Sequence, residues 1–157
     1  MAKITEKEAL LRLSSLCSQA EHCTYEMTEK MRRWELTDEE QARVVARLVA
    51  DRYVDDERYA RAFVADKIRY NKWGRRKVEQ ALWMKRIDEP IRKRVLDSID
   101  PQEYIDVLRP LLAAKRRGVR AASEYELRTK LMRFALGRGF SIDEVNDALG
   151  TDFSDDI

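Results

Sequence analysis

Apolar residues recur along this chain at three- and four-residue steps, the spacing of one face of an α-helix. A first helix is predicted from about Glu6 to Gln19, carrying Ala9, Leu10, Leu13, Leu16 and Cys17 on one side. After a break near Glu21 to Cys23, Thr24 is placed to cap a second helix with Met27, Met31 and Trp34. Thr37 with Glu40 three residues later forms a capping box, and Val44, Val45, Leu48 and Val49 face inward along a third helix ending near Asp51. The plan then repeats. Asp55 or Asp56 caps a helix whose stripe is Tyr59, Ala60, Phe63, Val64 and Ile68; a second helix runs from Gly74 to Arg86; a third opens at Asp88 with Pro90 in its first turn and Ile91, Val95 and Ile99 inside.

A third round starts at Asp100-Pro101, with Tyr104, Ile105, Leu108, Leu111 and Leu112 as its buried side and Pro110 expected to kink the helix. Ser123 with Glu126 caps the next helix, with stripe Leu127, Leu131 and Phe134, and Ser141 to Leu149 forms the last, closed by Gly150. The apolar pairs Met27/Met31, Val78/Leu82 and Leu127/Leu131 are equivalent, at spacings of 51 and 49 residues, a period that marks repeated supersecondary units. The third unit then has about four extra residues near Leu136 to Gly139, expected to lengthen the turn before its last helix. The fold class is therefore all-α, three tandem three-helix repeats at 1–53, 54–99 and 100–150 forming an elongated, curved array. Residues 1–5 are expected to fray, and the acidic residues 151–157 to be a disordered tail.

Composition agrees with helix, since five Gly and three Pro in 157 residues leave little for a turn-rich β architecture. Charge adds something new. The net charge of +2 conceals a segment from Arg69 to Arg94 with ten cations against three acids, whereas Ser141 to Ile157 holds six acids and no Lys or Arg. The first is a candidate anion-binding surface: Arg58, Arg61 and Arg69 share the polar side of one helix, and Lys72, Arg75, Arg76, Lys77, Lys85 and Arg86 follow. Arg75, Arg76 and Lys77 stand after Gly74 at a helix start, where N–H groups, dipole and guanidinium forks all favour phosphate or carboxylate. Lys115, Arg116, Arg117 and Arg120 form a second cluster, joined by Arg128, Lys130, Arg133 and Arg138. Tyr70, Trp73 and Trp83 lie near the first cluster, as aromatics do beside the cationic track of single-strand binders.

Other chemistry has little to stand on. Cys17, His22 and Cys23 lack the second ligand cluster that zinc requires, so no metal site is expected. The chain has one His and neither a phosphate loop nor a nucleophile elbow, so no catalytic residues and no cofactor are expected. No apolar run has signal-peptide or membrane-spanning length, which points to a cytoplasmic protein without membrane contact.

One stretch carries a family resemblance. An acidic pair, then an aromatic-Ala-x-x-Phe helix (Tyr59, Ala60, Phe63), then Gly74-Arg75-Arg76-Lys77-Val78 opening a second helix, resembles the central signature of the RecX family. That resemblance implies three tandem three-helix units and a non-catalytic, cofactor-free regulator, acting as a monomer, that binds RecA and the RecA–DNA filament and restrains its recombinase and coprotease activities. Direct binding to single- or double-stranded DNA would belong to the same surface. An alternative is a helical-repeat DNA-binding regulator acting on duplex DNA without RecA, since a three-helix unit can place one helix in a major groove.

Overall fold

In the computed structural model, residues 4–150 are described. The acidic segment 151–157, expected to be disordered, lies outside them. Among the described residues the chain forms nine helices and no strand: α1 Glu6–Gln19, α2 Thr24–Arg33, α3 Asp38–Ala50, α4 Asp56–Arg69, α5 Arg75–Met84, α6 Glu89–Asp97, α7 Pro101–Gly118, α8 Glu124–Gly137 and α9 Ile142–Leu149. Local chemistry explains most starts. Thr5, Thr37, Ser123 and Ser141 each accept a backbone N–H three residues on, and Asp100 accepts from Gln102 ahead of Pro101. Thr5 is thus a cap and Ile4 packs against the core, so the expected fraying does not extend to these two residues.

The chain divides into two compact units, Met1–Phe63 with Leu82–Arg92, and Val64–Ala81 with Lys93–Ile157. In the first, α3 packs on both α1 and α2 around Ala9, Leu13, Met27, Met31, Leu36, Val44, Leu48 and Val54. Segments distant in sequence are tied to α2 and the turn before it. Asp56 accepts the Thr24 N–H at 2.8 Å, Arg58 pairs with Glu21 at 2.7 Å, and Lys85 pairs with Glu26 at 3.0 Å. In the second unit α7, α8 and α9 pack on one another, with Tyr104, Ile105, Leu108, Leu112, Leu131, Ala135 and Val145 buried.

Turn geometry carries the repeat. After α2, α5 and α8 the backbone enters the left-handed region at Glu35, Arg86 and Gly139 (φ +62°, +58° and +96°). Each is followed by a buried apolar residue, Leu36, Ile87 or Phe140, whose N–H bonds the carbonyl five residues back. Thr37, Asp88 and Ser141 then precede the next helix. Counted back from these turns, the buried pairs are Met27/Met31, Val78/Leu82 and Leu131/Ala135, all fully buried. The third pair is therefore shifted by one helical turn from Leu127/Leu131, because Leu127 is only half-buried. The extra residues are a longer helix, 14 residues in α8 against 10 in α2 and α5, and the turn before α9 keeps its length.

Four further expectations are corrected. Cys23, not Thr24, is the residue before α2, and Thr24 is its first residue. Val49 is 49% exposed, since the α3 face is centred on Gln41, Val44 and Leu48. The α6 stripe passes through Val95 and Leu96, because the helix ends at Asp97 before reaching Ile99. Finally, α7 runs unbroken through Pro110: Leu108 and Leu112 on either side are buried, and their packing holds the helix where proline removes one donor.

Candidate functional site

The start of α5 is unusual for a helix. Its first turn contains Arg75, Arg76 and Lys77 and no acid, the arrangement that the helix dipole opposes. Backbone packing compensates. Gly74 lies against Gly139 so closely that a Cβ on Gly74 would stand 2.4 Å from the Gly139 carbonyl carbon, and one on Gly139 would stand 2.6 Å from Lys77 Cβ. The Gly74 N–H bonds the Arg138 carbonyl at 2.8 Å and the Arg76 N–H bonds the Gly139 carbonyl at 3.3 Å. These two donors, expected from the sequence to face an anion, are occupied by the loop after α8; the side chains are what this helix start presents.

Each cation of the triplet has a neighbour. Arg75 pairs with Asp97 at 2.7 Å, and this contact heads the causes that hold the Asp97 carboxyl below its ordinary range. Arg76 donates to the Leu136 carbonyl at 2.9 Å, and Lys77 Nζ stands 4.8 Å from the centroid of Trp73. Lys67 Nζ approaches the same ring at 5.3 Å. Arg75 and Arg76 line a groove of about 530 Å³ with Glu79, Leu136, Phe140 and Glu144. The hydroxyl of Tyr104 is buried without a hydrogen-bond partner among the described residues, and burial pushes it up to about 12.

The other candidate cations fall into two groups by unit. In the second unit, Arg69 and Lys72 border a smaller groove with Ile99, Glu103 and Asp106, and the Lys72 ammonium caps the Arg69 carbonyl. Lys115 Nζ lies 5.0 Å from the Phe134 ring and Arg116 lies 4.0 Å from Glu124, while Arg117 and Arg120 are exposed. In the first unit, Arg58 is a clip: besides Glu21 it donates to the carbonyls of Arg52 and Tyr53 at 3.2 and 3.3 Å. Arg61 pairs with Glu57 at 3.1 Å, Lys85 with Glu26, and Arg86 lies 6.0 Å from the Tyr25 ring and 5.8 Å from Trp83.

Up to Gly150 the second unit holds seventeen Lys and Arg against eleven Asp and Glu, a net of +6. From Ile4 onward the first unit holds thirteen against fifteen, a net of −2. Two contributors to the cationic side lie outside the triplet. Lys67 sits six residues before Trp73, a separation no helical pairing rule would flag. Arg138, grouped with the second cluster by sequence, donates to the Asn71 carbonyl at 3.3 Å and lies 5.1 Å from the Phe134 ring.

The cysteines belong to packing. Cys17 Sγ lies 3.7 Å from the Met27 sulfur and Cys23 Sγ 3.8 Å from the Lys85 carbonyl. Among the described residues no group of three His, Cys, Asp or Glu is placed to hold a metal, and no helix is long and apolar enough to cross a membrane.

Comparison with known proteins agrees with this architecture. Two family models match in tandem: the second three-helix domain of RecX at residues 55–96 and the third at 102–149. The regulatory protein RecX of Vibrio campbellii is 30% identical over 155 residues, covering 97% of this chain and 94% of that one. That of Vibrio parahaemolyticus is 29% identical over 154 residues, with coverage of 97% and 94%. The crystal structure of RecX from Lactobacillus salivarius superposes with a TM-score of 0.81 at 17% identity, over 92% of this chain and 94% of that one, a likeness of fold. On the paired domain matches and the near full-length similarity, this chain belongs to the RecX family.

Proposed function

We propose that this chain is a non-catalytic cytoplasmic regulator that binds RecA and its nucleoprotein filament and restrains recombinase and coprotease activity in DNA repair. Family membership supports the regulatory part, since the matched relatives are regulatory proteins. The observation that carries the rest is the α5 start, where three adjacent cations oppose their own helix dipole on a backbone locked by two glycines. A placement unfavourable to the isolated helix makes sense where an external anion, a DNA phosphate or an acidic side chain of the filament, completes it. The net of +6 in the same unit supplies the wider field.

The test is RecA ATP hydrolysis and strand exchange on single-stranded DNA with this protein added. Both should fall as it is titrated in; unchanged rates at saturating protein would overturn the reading. Arg75→Glu combined with Arg76→Glu should abolish the inhibition while circular dichroism retains the helical signal. The alternative, a regulator of duplex DNA independent of RecA, draws on the tandem three-helix plan. It predicts tight binding to a selected duplex over random sequence with RecA absent.

A further inference from the structure

We propose that the acidic segment following α9, residues 151–157, seats in the groove along α8 lined by Tyr125, Arg128, Thr129, Met132, Arg133 and Leu136, placing an internal anion on the cationic unit. The groove measures about 360 Å³. Its lining combines apolar surface from Met132, Leu136 and the 81% exposed Tyr125 with two guanidinium groups, and contains no carboxylate. Arg133 is exposed and has no ion pair among the described residues. The site asks for a short peptide with an apolar anchor between acids.

Residues 151–157 have that chemistry, Thr-Asp-Phe-Ser-Asp-Asp-Ile: three carboxylates, one aromatic ring and one aliphatic side chain. They also start in the right place. Helices α8 and α9 pack together, and Arg128 Nη2 donates to Asn146 Oδ1 at 2.6 Å, so one guanidinium of the groove already touches the last helix. Asn146 lies one helical turn before Gly150, roughly 6 Å along the axis. Gly150, at φ +75°, ends the helix in a conformation that redirects the chain. Seven residues beyond it span roughly 23–25 Å when extended, enough for the roughly 6 Å back to the level of Asn146 and Arg128 and the roughly 7.5 Å from Arg128 to Arg133 along α8. Arg128 and Arg133 can then meet Asp152, Asp155 or Asp156, while Phe153 covers Met132. The segment's three negative charges halve the +6 of the unit that carries them. The docking does not rest on the RecA reading, and its test contains neither RecA nor DNA.

The measurement is paramagnetic broadening in the full chain, with a nitroxide on Ile157→Cys in a Cys17→Ser background; Cys23 is fully buried. Amide signals from Tyr125 to Leu136 should lose intensity several-fold at low salt. Arg133→Glu should remove the loss. So should Asp155→Asn with Asp156→Asn. Broadening absent from α8, or insensitive to both variants, overturns the proposal. So does broadening seen only between separately labelled chains, which would make a second copy the occupant.

Discussion

Cys23 and Glu26 share the start of α2, and their environments make opposite demands on their protons. Burial pushes the Cys23 thiol up to about 11, so it stays a thiol near neutrality. Cys17 is raised in the same direction but is less buried. Alkylation of the native protein should therefore modify Cys17 first, with Cys23 reacting only after denaturant is added; mass spectrometry of the time course reads this directly. Glu26 is the reverse case. Burial raises its carboxyl, but the Lys85 ammonium and the Cys23 N–H outweigh it and leave the group below the ordinary carboxylate range. A carboxyl held below its unfolded value, about 4.3 for glutamate, stabilises the native state above that pH and loses the contribution as pH falls through the folded value. Glu26→Gln should thus be less stable than the parent at pH 7, and the gap should narrow below about pH 4 in urea titrations.

At the scale of the elements, the turns after α2 and α5 put Glu35 and Arg86 where the third repeat has Gly139. A left-handed residue with a Cβ costs roughly 1 kcal/mol relative to glycine, partly offset by the greater freedom glycine has when unfolded. Glu35→Gly, away from the cationic unit, should raise stability by about 0.5 kcal/mol in chemical denaturation. Gly74→Ala should do the opposite. Its Cβ would press on the Gly139 and Phe140 backbone at 2.4–2.5 Å, and backbone cannot rotate away. A loss of about 2–3 kcal/mol is expected, on the scale of core overpacking, with filament inhibition declining alongside it. The helices were legible at this scale because caps and periodicity act over three or four residues: Thr37 with Glu40 and Ser141 with Glu144 appear as written. The extra turn of α8 was misplaced because spacing between apolar residues does not distinguish a longer helix from a longer loop. Only the buried pair Leu131/Ala135 and the turn at Gly139 settle it.

Across the whole molecule, the net charge of +2 describes neither unit, one carrying +6 and the other −2 over their described residues. If the three cations opening α5 meet phosphates of a single strand, the logarithmic salt slope should be near −2, roughly a twenty-fold loss of affinity between 50 and 200 mM salt. Fluorescence anisotropy with a labelled oligonucleotide measures it, and a flat salt response would remove the electrostatic account. The linear order of the sequence was enough for the nine helices among the described residues, most of their caps, the tandem repeat and the cationic triplet, because each depends on neighbours within a few residues or on a count. What each cation faces depended on tertiary structure. Arg58 joins Glu21 to the Arg52 and Tyr53 carbonyls; Arg75 finds Asp97, 22 residues away; Gly74 exists for Gly139, 65 residues on. Side-chain range in sequence ends at about one helical turn, so partners brought from further off are chosen by packing, and packing is a property of the folded chain alone.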